Sequence, residues 1–242
     1  MSEPASGVDA FRLARAEILE RIAAACARVG RDAADVQLVA VSKTVPAERL
    51  RNAVAAGLTD LGENRVQEGE AKRPDLPGAA WHLIGPLQSN KARRALVAFD
   101  VIHSVDAVDL AQRLDRLARE VRAAGPASPF PVLLQVNVDG DPAKAGFAPE
   151  ALPAALDEIA PLDALEVRGL MTIGRFTTDP AVARPTFTAL RRLSESLRPT
   201  NPALGSALSM GMSDDFEVAV EEGATIVRVG RALFGDRPHR HD

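Results

Sequence analysis

Apolar positions along the chain change their period repeatedly, and those changes predict the architecture. Phe11, Ala14, Ile18, Ile22, Ala25 and Val29 recur at steps of three and four, so Val8 to Val29 reads as an amphipathic helix stopping at Gly30. The period then shortens. Val36 to Lys43 is a β-rich apolar run, Ala47 to Ala56 is helical, Asp60 to Gly62 is strand-like, and Arg65 to Arg73 is polar and helical. Further strand candidates follow at Trp81 to Gly85, Val101 to Val105, Pro131 to Val138, Leu165 to Ile173, Ala207 to Met210 and Thr225 to Val229. Helical stretches such as Val108 to Ala123 and Arg184 to Leu197 separate most of them.

This rhythm, eight strand–helix units over roughly 200 residues, predicts an α/β fold of the (β/α)8 TIM-barrel type with one extra N-terminal helix. An open doubly wound sheet is the competitor. No G-x-G-x-x-G opens a helix after the first strand, so the dinucleotide-binding form of that sheet lacks its phosphate loop. The expected organisation is a single barrel domain over residues 1–236. Residues 237–242, which include His239 and His241 and lack apolar content, are expected to form a disordered tail.

Charge narrows the partners. Twenty-nine basic against thirty-three acidic residues give a net charge of -4, so no nucleic acid and no anionic membrane is expected as partner. The first thirty residues carry Glu3, Asp9, Glu17 and Glu20 in place of a basic start and an apolar run, and no stretch reaches the ~18 apolar residues of a membrane span. The single cysteine, Cys26, lies on the apolar face of the first helix and makes no internal disulfide, which points to a reducing, cytoplasmic setting. No metal site is assigned, because the histidines lack companions at ligand spacing. The sequence has no tyrosine and only four lysines, Lys43, Lys72, Lys91 and Lys144. Any imine chemistry falls to one of those four, since arginine stays protonated.

Lys43 ends the first strand on the same face as Val39 and Val41. If those valines point inward, Lys43 sits at the C-terminal mouth of the barrel, where such folds carry their sites, and partial desolvation favours its neutral, nucleophilic amine. The alternative is a lysine that snorkels into solvent. Ser209-Met210-Gly211-Met212-Ser213-Asp214-Asp215 follows strand seven, with Asp214 and Glu217 spaced as an N-cap pair. Gly230 and Arg231 follow strand eight and open a short extra helix. Barrels commonly hold a phosphate at these two loops, although glycines there also serve plain turns. Arg228 faces opposite to Val227 and Val229 and, if those two pack against the outer helices, points into the barrel, where it needs a ligand or an internal ion pair. His82 is either a site residue or a hydrogen-bonded member of a barrel layer, and His103 reads as structural. Asn90 to Arg94 reads as a solvated helix start.

Six segments together carry a family resemblance: Val39-Ala40-Val41-Ser42-Lys43-Thr44, Gly62 to Glu68, Trp81 to Lys91, Arg168-Gly169-Leu170-Met171, Ser209 to Asp215 and Val227 to Gly230. The chain resembles the pyridoxal phosphate homeostasis proteins, relatives of the barrel domain of alanine racemase. The resemblance implies that Lys43 forms a Schiff base with pyridoxal 5′-phosphate. It implies that Ser209, Gly230 and the Arg231 backbone hold the phosphate, that Arg228 faces the pyridine nitrogen, and that Asn64 lies near the cofactor. Three positions depart from the family pattern: Arg65 where tyrosine is frequent, Leu83 where phenylalanine is usual, and Arg231 where a small residue is usual.

The resemblance further implies a monomeric carrier that buffers pyridoxal phosphate or delivers it to apo-enzymes, with effects on amino-acid and keto-acid balance. Catalysis is disfavoured on chemical grounds. Arginine opposite the pyridine nitrogen discourages its protonation, and no tyrosine is present to serve as a second acid–base group. The alternatives are a weak amino-acid racemase and a Schiff-base aldolase acting on a sugar phosphate.

Overall fold

In the computed structural model, which describes residues 7–122 and 128–235, eight parallel strands pair in sequence order and close into a barrel. They are β1 (Gln37–Val41), β2 (Asp60–Glu63), β3 (Ala80–Leu83), β4 (Val101–Val105), β5 (Phe130–Gln135), β6 (Leu165–Met171), β7 (Ala207–Ser209) and β8 (Ile226–Val229). Closure joins β1 to β8, with Leu38 opposite Val227 and Val39 opposite Arg228. That pairing bears out the barrel and rules out the open sheet, whose first and last strands would keep unpaired edges.

Alternation along each strand sorts side chains into two layers. Val39, Val101, Leu133, Met171 and Ile226 pack together inside the barrel. Ala40, Leu61, Trp81, Leu83, Ile102, Val132, Val227 and Val229 belong to the larger core beneath the helices. With both faces covered, the strands read as apolar runs. The helices follow from their stripes: α1 (Gly7–Arg28), α2 (Ala47–Ala55), α3 (Val66–Lys72), α4 (Ala92–Ala98), α5 (Val108–Arg122), α6 (Leu152–Ile159), α7 (Pro180–Leu197), α8 (Phe216–Glu221) and α9 (Arg231–Phe234). In α5, for example, Leu110, Ala111, Leu114, Leu117 and Ala118 are buried, and each leucine contributes about 1.5–3 kcal/mol by leaving water. The extra helix α1 packs against α2 and α8, and Arg21–Glu217 and Arg28–Glu221 pairs at 2.6 Å tie it to α8. Among the described residues, no helix is long and apolar enough to cross a membrane.

Element boundaries differ from the sequence reading in a consistent way. β1 stops at Val41, β3 at Leu83, β5 at Gln135 and β6 at Met171, each short of its apolar run. The apolar residues just beyond these ends, such as Val136 and Ile84, are buried and keep single ladder-type bonds, Val136 N–H to the Met171 carbonyl at 2.8 Å and Ile84 N–H to the Glu63 carbonyl at 2.9 Å, so the apolar run outlasts the regular strand. α7 begins at Pro180, four residues before the expected Arg184. Asp179 caps it by accepting from the Ala181 N–H at 2.9 Å, and the helix carries Pro185 inside it. The residue flanking α8 is Asp215 and not Asp214, and its carboxylate turns back to accept from the Met212 N–H at 2.6 Å. The tail, residues 237–242 with His239 and His241, lies outside the described residues, as does Ala123.

Candidate functional site

The first wall of the C-terminal mouth is built on charge. Beyond Val41 the chain makes a turn, Ser42-Lys43-Thr44, closed by the Val45 N–H donating to the Ser42 carbonyl at 3.0 Å. Lys43 is therefore carried on a turn rather than on the strand, half-buried, with Thr44 in the left-handed region at φ 68°. A threonine holds that conformation only when neighbours enforce it. Here Thr44 N–H donates to Glu68 at 3.0 Å, and Ser42 Oγ donates to Glu63 Oε1 at 2.7 Å. Lys72 Nζ reaches the Ser42 carbonyl at 3.0 Å and Glu63 at 2.7 Å, and lies 3.5 Å from Glu68. Burial pushes the Glu63 carboxyl up to about 7 against the opposing pull of Lys72 and Ser42. Its Oε2 has no hydrogen-bond partner among the described residues. Sequence reasoning missed this cluster; the available signal was the Glu68–Lys72 spacing of four on a helix that follows Glu63.

The opposite wall is built on backbone and hydroxyl groups. Ser213 Oγ accepts from the Gly230 N–H at 3.2 Å and the Ala232 N–H at 3.4 Å, at the start of α9. Gly211 makes the preceding loop possible: its φ is +91°, and a Cβ there would lie 2.5 Å from the Ala219 methyl group. Arg231 is exposed, and its side chain turns away to pair with Asp214 and to lie 5.6 Å over the Phe176 ring. Its departure from the family pattern thus places a cation at the rim of the mouth. Asn64 lies half-buried after β2, and Gly85 packs so closely on it that a Cβ would come 2.3 Å from the Asn64 carbonyl oxygen.

Between the two walls Arg228 points into the barrel and is 4% exposed. It donates to Ser209 Oγ at 2.7 Å and to the Thr172 carbonyl at 2.8 Å. Among the described residues no carboxylate forms an ion pair with it, and burial lowers its pKa to about 10 despite the field of Asp215. Those two bonds leave further guanidinium N–H donors for a ligand. Ser209, the serine expected at the phosphate, lies deeper than Ser213, fully buried on β7 and bonded to Arg228. His82 and His103 are both buried inside the barrel and face each other at 2.9 Å, so His82 belongs to a barrel layer. Leu83 belongs to the core beneath the helices and Arg65 is exposed at the start of α3, so the Leu83 departure alters core packing.

A closed parallel barrel with a lysine, an arginine and a helix start around its C-terminal mouth defines a class, and the chain matches the model of the alanine racemase N-terminal domain over residues 18–238. The chain belongs to the pyridoxal phosphate homeostasis protein family within it. It is 48% identical over 228 residues to the pyridoxal phosphate homeostasis protein of Pseudomonas aeruginosa, covering 93% of this chain and 94% of that one. It is 37% identical to the Escherichia coli K12 protein of the same name, over 93% of this chain and 95% of that one. Among solved structures, PipY of Synechococcus elongatus with pyridoxal phosphate bound is 44% identical with a TM-score of 0.78, covering 90% of this chain and all of that one. Alanine racemase of Corynebacterium glutamicum is 16% identical with a TM-score of 0.70, covering 97% of this chain and 63% of that one, and shares the fold.

Proposed function

We propose that this chain binds pyridoxal 5′-phosphate at the barrel mouth, linked to the Lys43 amine, and acts as a carrier in its homeostasis. The observation that carries this reading is convergence. A half-buried lysine on a rigid turn, a buried arginine with spare donors and backbone N–H groups gathered at α9 ring one mouth. Those three features suit an aldehyde, a pyridine nitrogen and a phosphate. The PipY structure with the cofactor bound supports the same assignment.

In this reading Gly230 and the Arg231 backbone hold the phosphate, and Ser213, rather than Ser209, supplies the hydroxyl beside it, because Ser213 is the one that meets the α9 N–H groups. Arg228 donates to the pyridine nitrogen, with Asn64 beside the cofactor. When bound, pyridoxal phosphate supplies an imine-forming aldehyde and a ring able to delocalise electrons. Arg228 keeps that ring nitrogen an acceptor, and the sequence offers no tyrosine as a second acid–base group, so the role is storage or delivery to apo-enzymes rather than turnover. Residues 1–236 act as one monomeric unit in the cytoplasm. The curated relatives are named for homeostasis and not for a reaction, which supports this choice over a racemase or an aldolase.

A visible absorption spectrum of purified protein after addition of pyridoxal phosphate tests the reading. A yellow protein that leaves L-alanine unracemised in chiral chromatography supports it. A colourless protein, or turnover within the usual enzymatic range of ~1–10³ per second, overturns it.

A further inference from the structure

A line of hydrogen-bonded side chains crosses the otherwise apolar barrel interior, and the proposed function leaves most of it unused. It begins at Asp60, at the N-terminal end of β2, whose side chain is 27% exposed. Asp60 Oδ1 accepts from Gln37 at 2.7 Å and faces His82 Nε2 at 3.2 Å. His82 Nδ1 faces His103 Nε2 at 2.9 Å, and His103 Nδ1 faces Ser209 Oγ at 3.0 Å. Ser209 accepts from Arg228, whose second amino group binds the Thr172 carbonyl. One solvent-touching carboxylate is thereby joined to the arginine of the opposite mouth through four contacts.

The ends of this line fix its direction. Arginine can only donate, and an ionised carboxylate can only accept. Burial raises the Asp60 carboxyl, but His82, Gln37 and Thr59 outweigh it and hold the group below its usual range, hence ionised. Burial, reinforced by the charge of Arg228, holds His103 well below the usual histidine range, hence neutral. When each imidazole carries a single proton, one arrangement satisfies every contact. His82 Nε2–H donates to Asp60, which leaves Nδ1 bare to accept from His103 Nε2–H. His103 Nδ1 then accepts the Ser209 hydroxyl proton, and Ser209 Oγ accepts from Arg228.

We propose that Asp60, His82 and His103 are positioning residues, a one-way relay that commits the Ser209 hydroxyl proton to His103 and so fixes the orientation of the hydroxyl that accepts from the Arg228 guanidinium. The consequence for a bound ring rests on the reading of Arg228 given above; the relay itself does not. One proton added at Asp60 reverses every donor: Asp60 donates to His82 Nε2, His82 Nδ1–H to His103, and His103 Nδ1–H to Ser209. The Ser209 hydroxyl proton is then released from His103. The groups that face this line are Asp60, both histidines, Arg228 and, beyond Arg228, Asp215.

Long-range ¹H–¹⁵N NMR of histidine-labelled protein without cofactor tests the relay. At pH 8 the expected result is the Nε2–H tautomer at both His82 and His103 in the wild type. In Asp60→Ala the expected result is a mixture of tautomers at His103, which does not touch residue 60, with Asp60→Glu restoring the single form. An Nδ1–H tautomer at His103 in the wild type overturns the relay, and so does a His103 tautomer that Asp60→Ala leaves unchanged. The wild-type spectrum decides even if Asp60→Ala does not fold. A second arm adds pyridoxal phosphate. A shifted absorbance maximum in Asp60→Ala at unchanged Lys43 labelling supports the link to Arg228, and an unshifted maximum overturns that link. Failure of the wild type to bind would strike the functional reading, while the tautomers would still judge the relay.

Discussion

The two walls of the barrel mouth solve the same problem with different chemistry. The β1–β2 side holds Lys43 through the side chains of Glu63, Glu68 and Lys72, packed around a turn whose threonine has a positive φ. The β7–β8 side relies on backbone N–H groups and the Ser213 hydroxyl, none of which titrates near neutrality. A lysine that must present an amine needs its backbone forced into place, and side-chain charge can reach across from α3 to do so. A phosphate needs fixed donors, which a helix start supplies without ionisation. One wall should therefore be sensitive to pH and the other indifferent to it.

The largest effect should come from Lys43→Ala. Absorbance of bound pyridoxal phosphate should disappear, with stability within about 0.5 kcal/mol of wild type, because Lys43 sits on a turn outside the core. Thermal melts beside the spectrum check both halves.

Glu63 should carry the pH response of the charged wall. Folding raises its pKa from 4.5 to about 7, so the folded state binds more protons than the unfolded one between those values. Its contribution is most favourable below pH 4.5 and falls as pH rises, by on the order of 3 kcal/mol once pH exceeds about 7. Urea unfolding from pH 5 to 8 should show wild type losing stability relative to Glu63→Gln over that range. Parallel curves would remove Glu63 from the account. Ser213→Ala, on the other wall, should weaken cofactor binding about tenfold, equivalent to one hydrogen bond of about 1.4 kcal/mol. That loss should be the same at pH 6 and pH 8 in fluorescence titrations.

Arg231→Ser should do least. Its side chain engages Asp214 and Phe176 at the exposed rim, where such a pair is worth about 0.2–1 kcal/mol. Stability and affinity should both stay within a fewfold of wild type. A large loss of affinity would mean that the guanidinium contacts the phosphate itself.

The barrel was legible in the sequence because strands wrapped on both faces leave continuous apolar runs, and those runs alternate with stripes such as that of α5. Lys43, Gly230 and Arg228 were legible from their strand-end positions and facing. The Lys43 turn was not, since Val36 to Lys43 reads as one run and the groups that hold the turn, Glu63, Glu68 and Lys72, come from neighbouring elements. Ser213 escaped for a similar reason. Its partners, Gly230 and Ala232, lie across the next strand, and no local pattern distinguishes it from Ser209 four residues earlier. The His82–His103 contact is likewise a product of barrel closure, which brings neighbouring strands together at a register that spacing does not reveal.

The central claim is that Lys43 is the lysine joined to the cofactor. Borohydride reduction of the protein loaded with one equivalent of pyridoxal phosphate, followed by peptide mass mapping, tests it directly. The expected result is a single pyridoxyl group on Lys43. Label on Lys72, Lys91 or Lys144 in its place would contradict the account.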